Sequence, residues 1–158
     1  MSGAAGRIVV GVDGSASSMA AVNWALDEAE LRGVGVQAVM AWQNPMLYNA
    51  PNVMAVSTLI SGDDLAAAAA SEVARIAAEA GQNRTASIAA DAVEGHPAQA
   101  LISTAHDAAL LVVGSRGHGG FVGALLGSVS QHVVAHAECP VVVIHDRAQA
   151  ERMRHDTK

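Results

Sequence analysis

Short apolar runs alternate with amphipathic segments along most of the chain. The run Ile8–Val12 is rich in β-branched residues and lies between two glycines, a pattern typical of a buried strand. From Ser15 to Arg32 the apolar residues recur every three or four positions, which predicts a helix. Gly33 suits the residue just after that helix. The same pair of patterns recurs downstream, so the chain predicts strands and helices in alternation.

The downstream patterns predict four more strands and three more helices. The predicted strands are 34–42, 85–93, 109–113 and 140–144, and the predicted helices run from a cap at Asp63 or Asp64 to Gly81, from Pro97 to Ala105, and from a cap at Ser128 to Ala137. Segment 43–62 has no period and is interpreted as a lid, a partner contact or a disordered insertion. An order of five strands and four alternating helices predicts a parallel α/β sheet with helices on both faces and right-handed crossovers.

Length, charge and cysteine usage narrow the class of protein. With 158 residues and no linker, we expect one domain over 6–146 and a polar tail over 147–158. The net charge of −6, with no basic stripe, argues against a nucleic-acid surface. The chain has one cysteine, no signal-peptide pattern and no uninterrupted apolar stretch of membrane-spanning length. We therefore expect a cytoplasmic protein without a membrane partner.

The stretch from Gly114 to Ser128 has a glycine at six of its fifteen positions and directly follows the most apolar run. Ligands of parallel sheets bind at the carboxyl ends of the strands, where this loop and the turn Asp13-Gly14-Ser15 both begin. Glycines expose backbone N–H groups, and a helix start near Ser128 adds partial positive charge. Arg116 adds a fixed charge, so the loop suits a polyphosphate. The polar side chains expected to help are the hydroxyls of Ser115, Ser128 and Ser130.

Two familiar phosphate-binding motifs do not fit this loop. A P-loop needs a lysine before its Ser or Thr, whereas the only lysine of the chain is Lys158. The dinucleotide fingerprint needs GxGxxG directly after the first strand, and the spacing here is different. The alternative interpretation is a glycine-rich surface connector. Phe121 and the other apolar residues interleaved with the glycines weigh against it.

Other polar residues leave several interpretations open. Asp13 fits a helix cap, an acceptor for ribose hydroxyls, or a phospho-acceptor, although the last requires clustered acids that its sequence neighbours do not supply. His132 and His136 have a metal-compatible spacing, but no third ligand is evident and we favour two surface or hydrogen-bonded histidines. Cys139 precedes a proline and is interpreted as a small apolar residue.

The glycine spacing resembles the G-x2-G-x9-G-[ST] motif of the ATP-binding universal stress proteins, with Gly114, Gly117, Gly127 and Ser128 at its positions. The resemblance covers about residues 6–145. It includes the segments IVVGVDGS, EGHPAQALI and LLVVGSRGHGGFVGALLGSVSQHVVAHAECPVVVIH. It implies an adenine nucleotide alpha hydrolase-like fold, a doubly wound sheet of five parallel strands in the order 3-2-1-4-5 with helices on both faces.

The resemblance also implies where ATP would bind. Gly11, Val12 and Asp13 would line the adenosine, and the backbone near Met40 or Ala41 would meet adenine. The ribose and phosphates would be wrapped by Gly114, Ser115, Arg116, Gly117, His118, Gly119 and Gly120, and the phosphates bound at the helix start by Gly127, Ser128, Val129 and Ser130. Mg²⁺ or Mn²⁺ would accompany ATP, and cAMP or AMP are alternative ligands.

The function implied is a nucleotide-dependent sensor or regulator of a stress response, with at most weak ATPase activity. Family members usually dimerise through the last strand, here Val141–Ile144, and an edge this apolar suits a partner. Three alternatives stay open: a slow ATPase or a nucleotidyl or phosphoryl transferase, a cAMP-binding member, and an interaction module with a vestigial site. Hydrolysis would need a base, for which Asp13 and His118 are the only candidates in the site motifs.

Overall fold

A computed structural model describes residues 6–44, 61–117 and 126–146. Nine elements alternate within these segments: β1 (Ile8–Gly11), α1 (Ala16–Arg32), β2 (Val36–Trp42), α2 (Gly62–Ala80), β3 (Ile88–Glu94), α3 (Pro97–Thr104), β4 (Leu110–Gly114), α4 (Ser128–His136) and β5 (Val141–Ile144). Most of segment 43–62, the residues His118, Gly119 and Gly120, and the tail 147–158 lie outside the described residues.

The five strands form one parallel sheet in the order β3-β2-β1-β4-β5. This confirms the predicted fold class, a doubly wound α/β sheet. Successive residues of the central strand β1 pack into two different cores, one on each face of the sheet, because neighbouring side chains of a strand point to opposite faces. Ile8 and Val10 pack in the core beneath α1 and α2, and Val9 packs in the core beneath α3. Burial on both faces explains why β1 reads as an unbroken apolar run.

The strands begin at one level of the sheet. Ile8 is in register with Val36 of β2 and Leu110 of β4, and Val36 is in register with Ile88 of β3. The predictions that β2 starts at 34 and β3 at 85 were therefore two and three residues early. In this register the carboxyl ends of the strands also lie together, which places the following loops at one edge.

Helix α1 confirms the prediction for 15–32. The Ser15 side chain accepts a hydrogen bond from the amide of Ser18, and Gly33 ends the helix with a left-handed φ of 66°, a conformation that glycine adopts without steric cost. The predicted cap of α2 was wrong. Ser61 is its N-cap, and the Oγ of Ser61 accepts a hydrogen bond from the Asp64 amide at 3.1 Å. Asp63 and Asp64 therefore lie in the first turn, where their negative charge interacts favourably with the positive end of the helix dipole.

The start of α4 also differs from the prediction. Its N-cap is Gly127, with no side-chain hydrogen bond, and Ser128 is the first helical residue. Helix α3 begins with Pro97 at its first position, as predicted, because a proline there loses no helical hydrogen bond. Among the helices of the described segments, none is both long and apolar enough to cross a membrane.

Candidate functional site

The loops after β1 and β4 meet at the carboxyl edge of the sheet. β1 is hydrogen-bonded to β2 on one side and to β4 on the other, so the strand order reverses between β1 and β4. Such a switch point is where ligands of open α/β sheets bind. A Cβ atom placed on Gly117 would lie 2.5 Å from Oδ2 of Asp13. The two loops therefore face each other closely.

A cavity of about 310 Å³ lies between these loops, near the lower end of the range for small-molecule sites. Its lining includes eleven of the residues proposed from the sequence: Gly11, Val12, Asp13, Ala41, Gly114, Arg116, Gly117, Gly127, Ser128, Val129 and Ser130. The structure thus brings together residues that are more than a hundred positions apart in the chain. Their predicted role in binding a nucleotide stays a prediction.

Two proposed residues lie beside the cavity rather than in its lining. The Met40 side chain packs against the core beneath α1 and α2, because it points to the opposite face of β2 from Ala41. Ser115 is buried, with its amide bonded to the carbonyl of Ile144 at 2.8 Å and its own carbonyl accepting from the Gly127 amide at 2.7 Å. Ser115 therefore holds the two ends of the glycine loop together.

The cavity wall changes in character from one side to the other. The residues contributed by β2 and α3 are apolar: Val39, Ala41, Pro97 and Leu101. The two loops and the first turn of α4 contribute glycines and polar residues, including Asp13, Arg116 and Ser128. Such a wall suits a ligand with a flat apolar part and a polar or anionic part.

Asp13 shapes the turn after β1. Its Oδ1 accepts a hydrogen bond from the amide of Ser15 at 2.9 Å, and its own amide donates to Oγ of Ser18 at 3.4 Å. Ser15, not Asp13, is the cap of α1, so the interpretation of Asp13 as that cap was wrong. The Asp13 side chain is exposed and lies at the cavity, where the ribose-acceptor interpretation stays a prediction.

The first turn of α4 forms part of the cavity wall. Ser128, Val129 and Ser130 all line the cavity, and within the described part of the chain the N-cap, Gly127, makes no side-chain cap hydrogen bond to their amides. The hydroxyl of Ser130 donates to the carbonyl of Gly114 at 2.7 Å. Ser115 is buried behind the cavity and the Ser130 hydroxyl is bonded to β4, and the expected contribution of these hydroxyls to ligand binding stays a prediction. Ser128, by contrast, is exposed and lines the cavity.

Residues 5–145 match the universal stress protein family. The chain belongs to that family. Among its curated relatives, universal stress protein Rv1996 of Mycobacterium tuberculosis is 34% identical over an alignment of 162 residues, gaps included, which covers 94% of this chain and 50% of the relative. Universal stress protein Rv2623 of the same organism is 34% identical over 139 residues, 88% of this chain and 45% of the relative. The chain spans about half the length of these relatives.

Solved structures of the family share the fold. UspA from Lactobacillus plantarum superposes with a TM-score of 0.73 at 24% identity, and the superposition covers 88% of this chain and 97% of the UspA chain. A universal stress protein in complex with cAMP gives 0.62 at 26%, covering 89% and 97%. The Archaeoglobus fulgidus protein in complex with dAMP gives 0.59 at 26%, covering 87% and 96%. These likenesses agree with the adenine nucleotide alpha hydrolase-like fold.

Five lining residues were missed by the sequence reasoning: Ser18, Val39, Pro97, Leu101 and Val113. Simple periodicity would have found one of them. Val39 lies two positions before Ala41 and so shares its face of β2. Leu101 lies four positions after Pro97 and so shares its face of α3, but neither of these two had been proposed as a site residue. Ser18 carried no signal, since hydroxyls at a helix start are common for capping alone.

The two histidines of α4 lie away from the cavity lining. Their rings stack with centroids 4.3 Å apart, and Nδ1 of His136 lies 3.0 Å from the carbonyl oxygen of His132. Within residues 6–44, 61–117 and 126–146, no three His, Cys, Asp or Glu side chains group as metal ligands. Cys139 is partly buried against the core beneath α3, and this burial raises the pKa of its thiol.

Proposed function

We propose that this chain binds ATP in the cavity between the β1 and β4 loops and acts as a nucleotide-dependent regulator of a stress response. One observation carries the proposal: the first turn of α4, which has glycine as its N-cap, lines the same cavity as Asp13 and an apolar wall. Two family members named as complexes with cAMP and dAMP support an adenine nucleotide as the class of ligand.

The proposed pose follows the chemistry of the wall. The adenine lies against the apolar side chains from β2 and α3, with the backbone at Ala41 within reach of its edge. The ribose hydroxyls donate to the carboxylate of Asp13, as acidic residues do in other nucleotide sites. The phosphates lie at the amides of Ser128–Ser130, because a helix N-terminus offers both N–H donors and partial positive charge. His118, Gly119 and Gly120 lie outside the described residues, and we propose that they take part in binding the ribose and phosphates.

Charge balance favours holding a nucleotide over cleaving it. Arg116 is the only Arg or Lys among the described lining residues, and the single lysine of the chain is its last residue. We propose that Arg116, the α4 dipole and a divalent ion such as Mg²⁺ or Mn²⁺ share the phosphate charge. The carboxylate of Asp13 already accepts a hydrogen bond from the Ser15 amide, and this bond makes the carboxylate a weaker general base. At most slow hydrolysis is proposed.

A second candidate ligand is cAMP, with AMP as its simpler relative. A family member 26% identical to this chain is named as a cAMP complex. Contacts to the base and the ribose do not distinguish nucleotides that differ only in their number of phosphates. Competition of cAMP against ATP in one titration ranks the two. Tighter binding of ATP than of cAMP would support the leading proposal, and tighter binding of cAMP would make cAMP the ligand of the site instead.

We also propose that the chain is a cytoplasmic homodimer that pairs through β5. Val141–Ile144 lies at the end of the sheet, and all four apolar side chains are only partly buried. An exposed edge of this composition is a hazard unless another strand covers it. Light scattering of the purified chain should give twice the chain mass, and a monomer mass at high concentration would contradict this pairing.

Thermal unfolding with and without ATP tests the binding proposal. We expect the melting temperature to rise by about 5–10 °C when ATP is at roughly 100 times its Kd. Gly117→Ala should reduce the rise markedly, because the new Cβ would lie 2.5 Å from Oδ2 of Asp13 and would displace the carboxylate that is proposed to bind the ribose.

Gly35→Ala is the matched control. Its Cβ would likewise meet a side-chain oxygen, Oγ of Ser87 at 2.9 Å, but at the opposite edge of the sheet, just before β2. This variant should keep the ATP-induced rise. If the unaltered protein shows no rise with millimolar ATP and releases no nucleotide on denaturation, as judged by mass spectrometry, the binding proposal fails.

A further inference from the structure

Two adjacent buried serines in the first turn of α1 have no part in the proposed pose. Ser17 and Ser18 are each 4% exposed, and burying a hydroxyl is costly unless it is hydrogen-bonded. Neither serves as the helix cap, since that is Ser15. The partners of their hydroxyls lie in different loops of the cavity, and this difference separates their roles.

The hydroxyl of Ser17 fastens the start of the glycine loop to α1. Its Oγ donates to the backbone carbonyl of Arg116 and accepts from the backbone amide of the same residue at 3.4 Å. Gly114, at the end of β4, lies against the same turn, since a Cβ there would approach the carbonyl carbon of Ser17 to 2.8 Å. The backbone of Arg116 is thus held from both of its polar groups by one side chain.

The position of Arg116 in turn fixes the start of α4. A Cβ on Gly127 would lie 3.4 Å from Cα of Arg116 and 3.6 Å from the amide nitrogen of Gly117. The N-cap of α4 is therefore packed directly on the segment that Ser17 holds. A shift of the Arg116 backbone would move both the guanidinium and the α4 amides relative to the rest of the cavity.

The hydroxyl of Ser18 fastens the other loop. Its Oγ accepts from the amide of Asp13 at 3.4 Å and donates to the carbonyl of Ser15 at 3.0 Å. The turn after β1, which carries the Asp13 carboxylate, is thus held by the neighbour of Ser17. Two residues of equal burial and identical chemistry each hold one wall of the same cavity.

We infer that Ser17 is a positioning residue for the phosphates of the bound nucleotide and that Ser18 is a positioning residue for its nucleoside. The inference rests on the proposed function, because it divides the ligand between the two loops. It assigns to the first turn of α1 the task of setting the distance between the nucleoside and phosphate subsites.

Calorimetric titrations of Ser17→Ala and Ser18→Ala with ATP and with adenosine test this division. Ser17→Ala should weaken ATP binding about two- to tenfold, the range for one lost hydrogen bond, and leave adenosine binding within about twofold. Ser18→Ala should weaken both ligands by the same factor. Each variant loses one buried hydroxyl and should lose similar thermal stability, so the ratio of the two affinities isolates positioning from folding.

The outcomes separate the inference from the function on which it rests. If the unaltered protein does not bind ATP, the proposed function itself fails. If it binds ATP and Ser17→Ala leaves the ATP-to-adenosine affinity ratio unchanged, Ser17 has no positioning role and the inference is overturned. Ser17→Cys, which keeps the shape of serine but is a weak donor, replaces the alanine variant if that does not fold, and it should lower the ratio in the same direction.

Discussion

α1 and α4 both begin at the cavity, but only α1 is capped by a side chain. The Oγ of Ser15 accepts from the Ser18 amide at 3.3 Å, and the next two hydroxyls bind the neighbouring loops. α4 begins at Gly127, which has no side chain to offer. The first turn of α1 is thus hydrogen-bonded to hydroxyl oxygens of the protein itself, whereas among the residues that the structure describes no side-chain cap is bonded at the first turn of α4.

The contrast assigns different tasks to two similar helix ends. A capping oxygen satisfies amides that have no partner within the helix, which stabilises the fold but takes the place of a ligand anion. A glycine at the N-cap supplies no side-chain oxygen, so a ligand anion can bind at the position that a capping oxygen would occupy. The α1 turn therefore holds the walls of the cavity, and the α4 turn is the part of the wall suited to bind phosphate.

The largest effect should come from giving α4 a cap of its own. Asn and Asp are both good N-caps, and Gly127 has φ −68° and ψ 166°, which suit any L-residue. Gly127→Asp should weaken ATP binding roughly 10- to 100-fold, because a carboxylate about 4 Å from a phosphate repels it by about 1–4 kcal/mol. Its effect on the melting temperature without ligand should be small.

Gly127→Asn is the matched control, because it has the same shape and capping ability without the charge. It should weaken ATP binding only a few-fold, through competition for the amides. Calorimetry on both variants measures the difference. Equal affinities for ATP in the Asp and Asn variants would mean that the phosphates do not lie at the start of α4.

A smaller effect, of the opposite kind, is expected at the other helix. Ser15→Ala removes the cap of α1 and should lower the free energy of unfolding by about 1 kcal/mol. ATP affinity should change by less than about twofold, because Ser17 still holds the Arg116 carbonyl. Urea denaturation and calorimetry measure the two quantities. A large loss of affinity with little loss of stability would place Ser15 at the ligand and weaken the contrast between the helices.

The fold could be predicted from the sequence because its patterns are local. Runs such as Leu110–Val113 and stripes such as that of α1 follow from periodicity alone, and alternation of the two fixes a parallel sheet. The strand order came from the resemblance to a family. The errors lay at the starts of β2 and β3 and at helix starts, where Ser61 caps α2 and Gly127 caps α4, since several neighbouring residues suited each cap.

The site could be predicted only where the backbone motif marks it. The glycines and their sequence neighbours located the two loops, but a motif does not say where a hydroxyl points. Ser130 bonds back to Gly114, and Met40 faces the core. The roles of Ser17 and Ser18 depend on contacts between residues 99 and five positions apart. The contact of Ser17 exists only once the sheet has placed β1 beside β4, whereas that of Ser18 is formed within the turn after β1.

The central claim is that the phosphates of a bound nucleotide lie at the first turn of α4. Backbone amide shifts measured by NMR during an ATP titration test it most directly, with adenosine as the comparison ligand. We predict the largest ATP-specific shifts at Ser128, Val129, Ser130 and Gly117, and shifts near Ala41 with both ligands. Saturating shifts confined to other parts of the sheet, or none at millimolar ATP, would contradict the account.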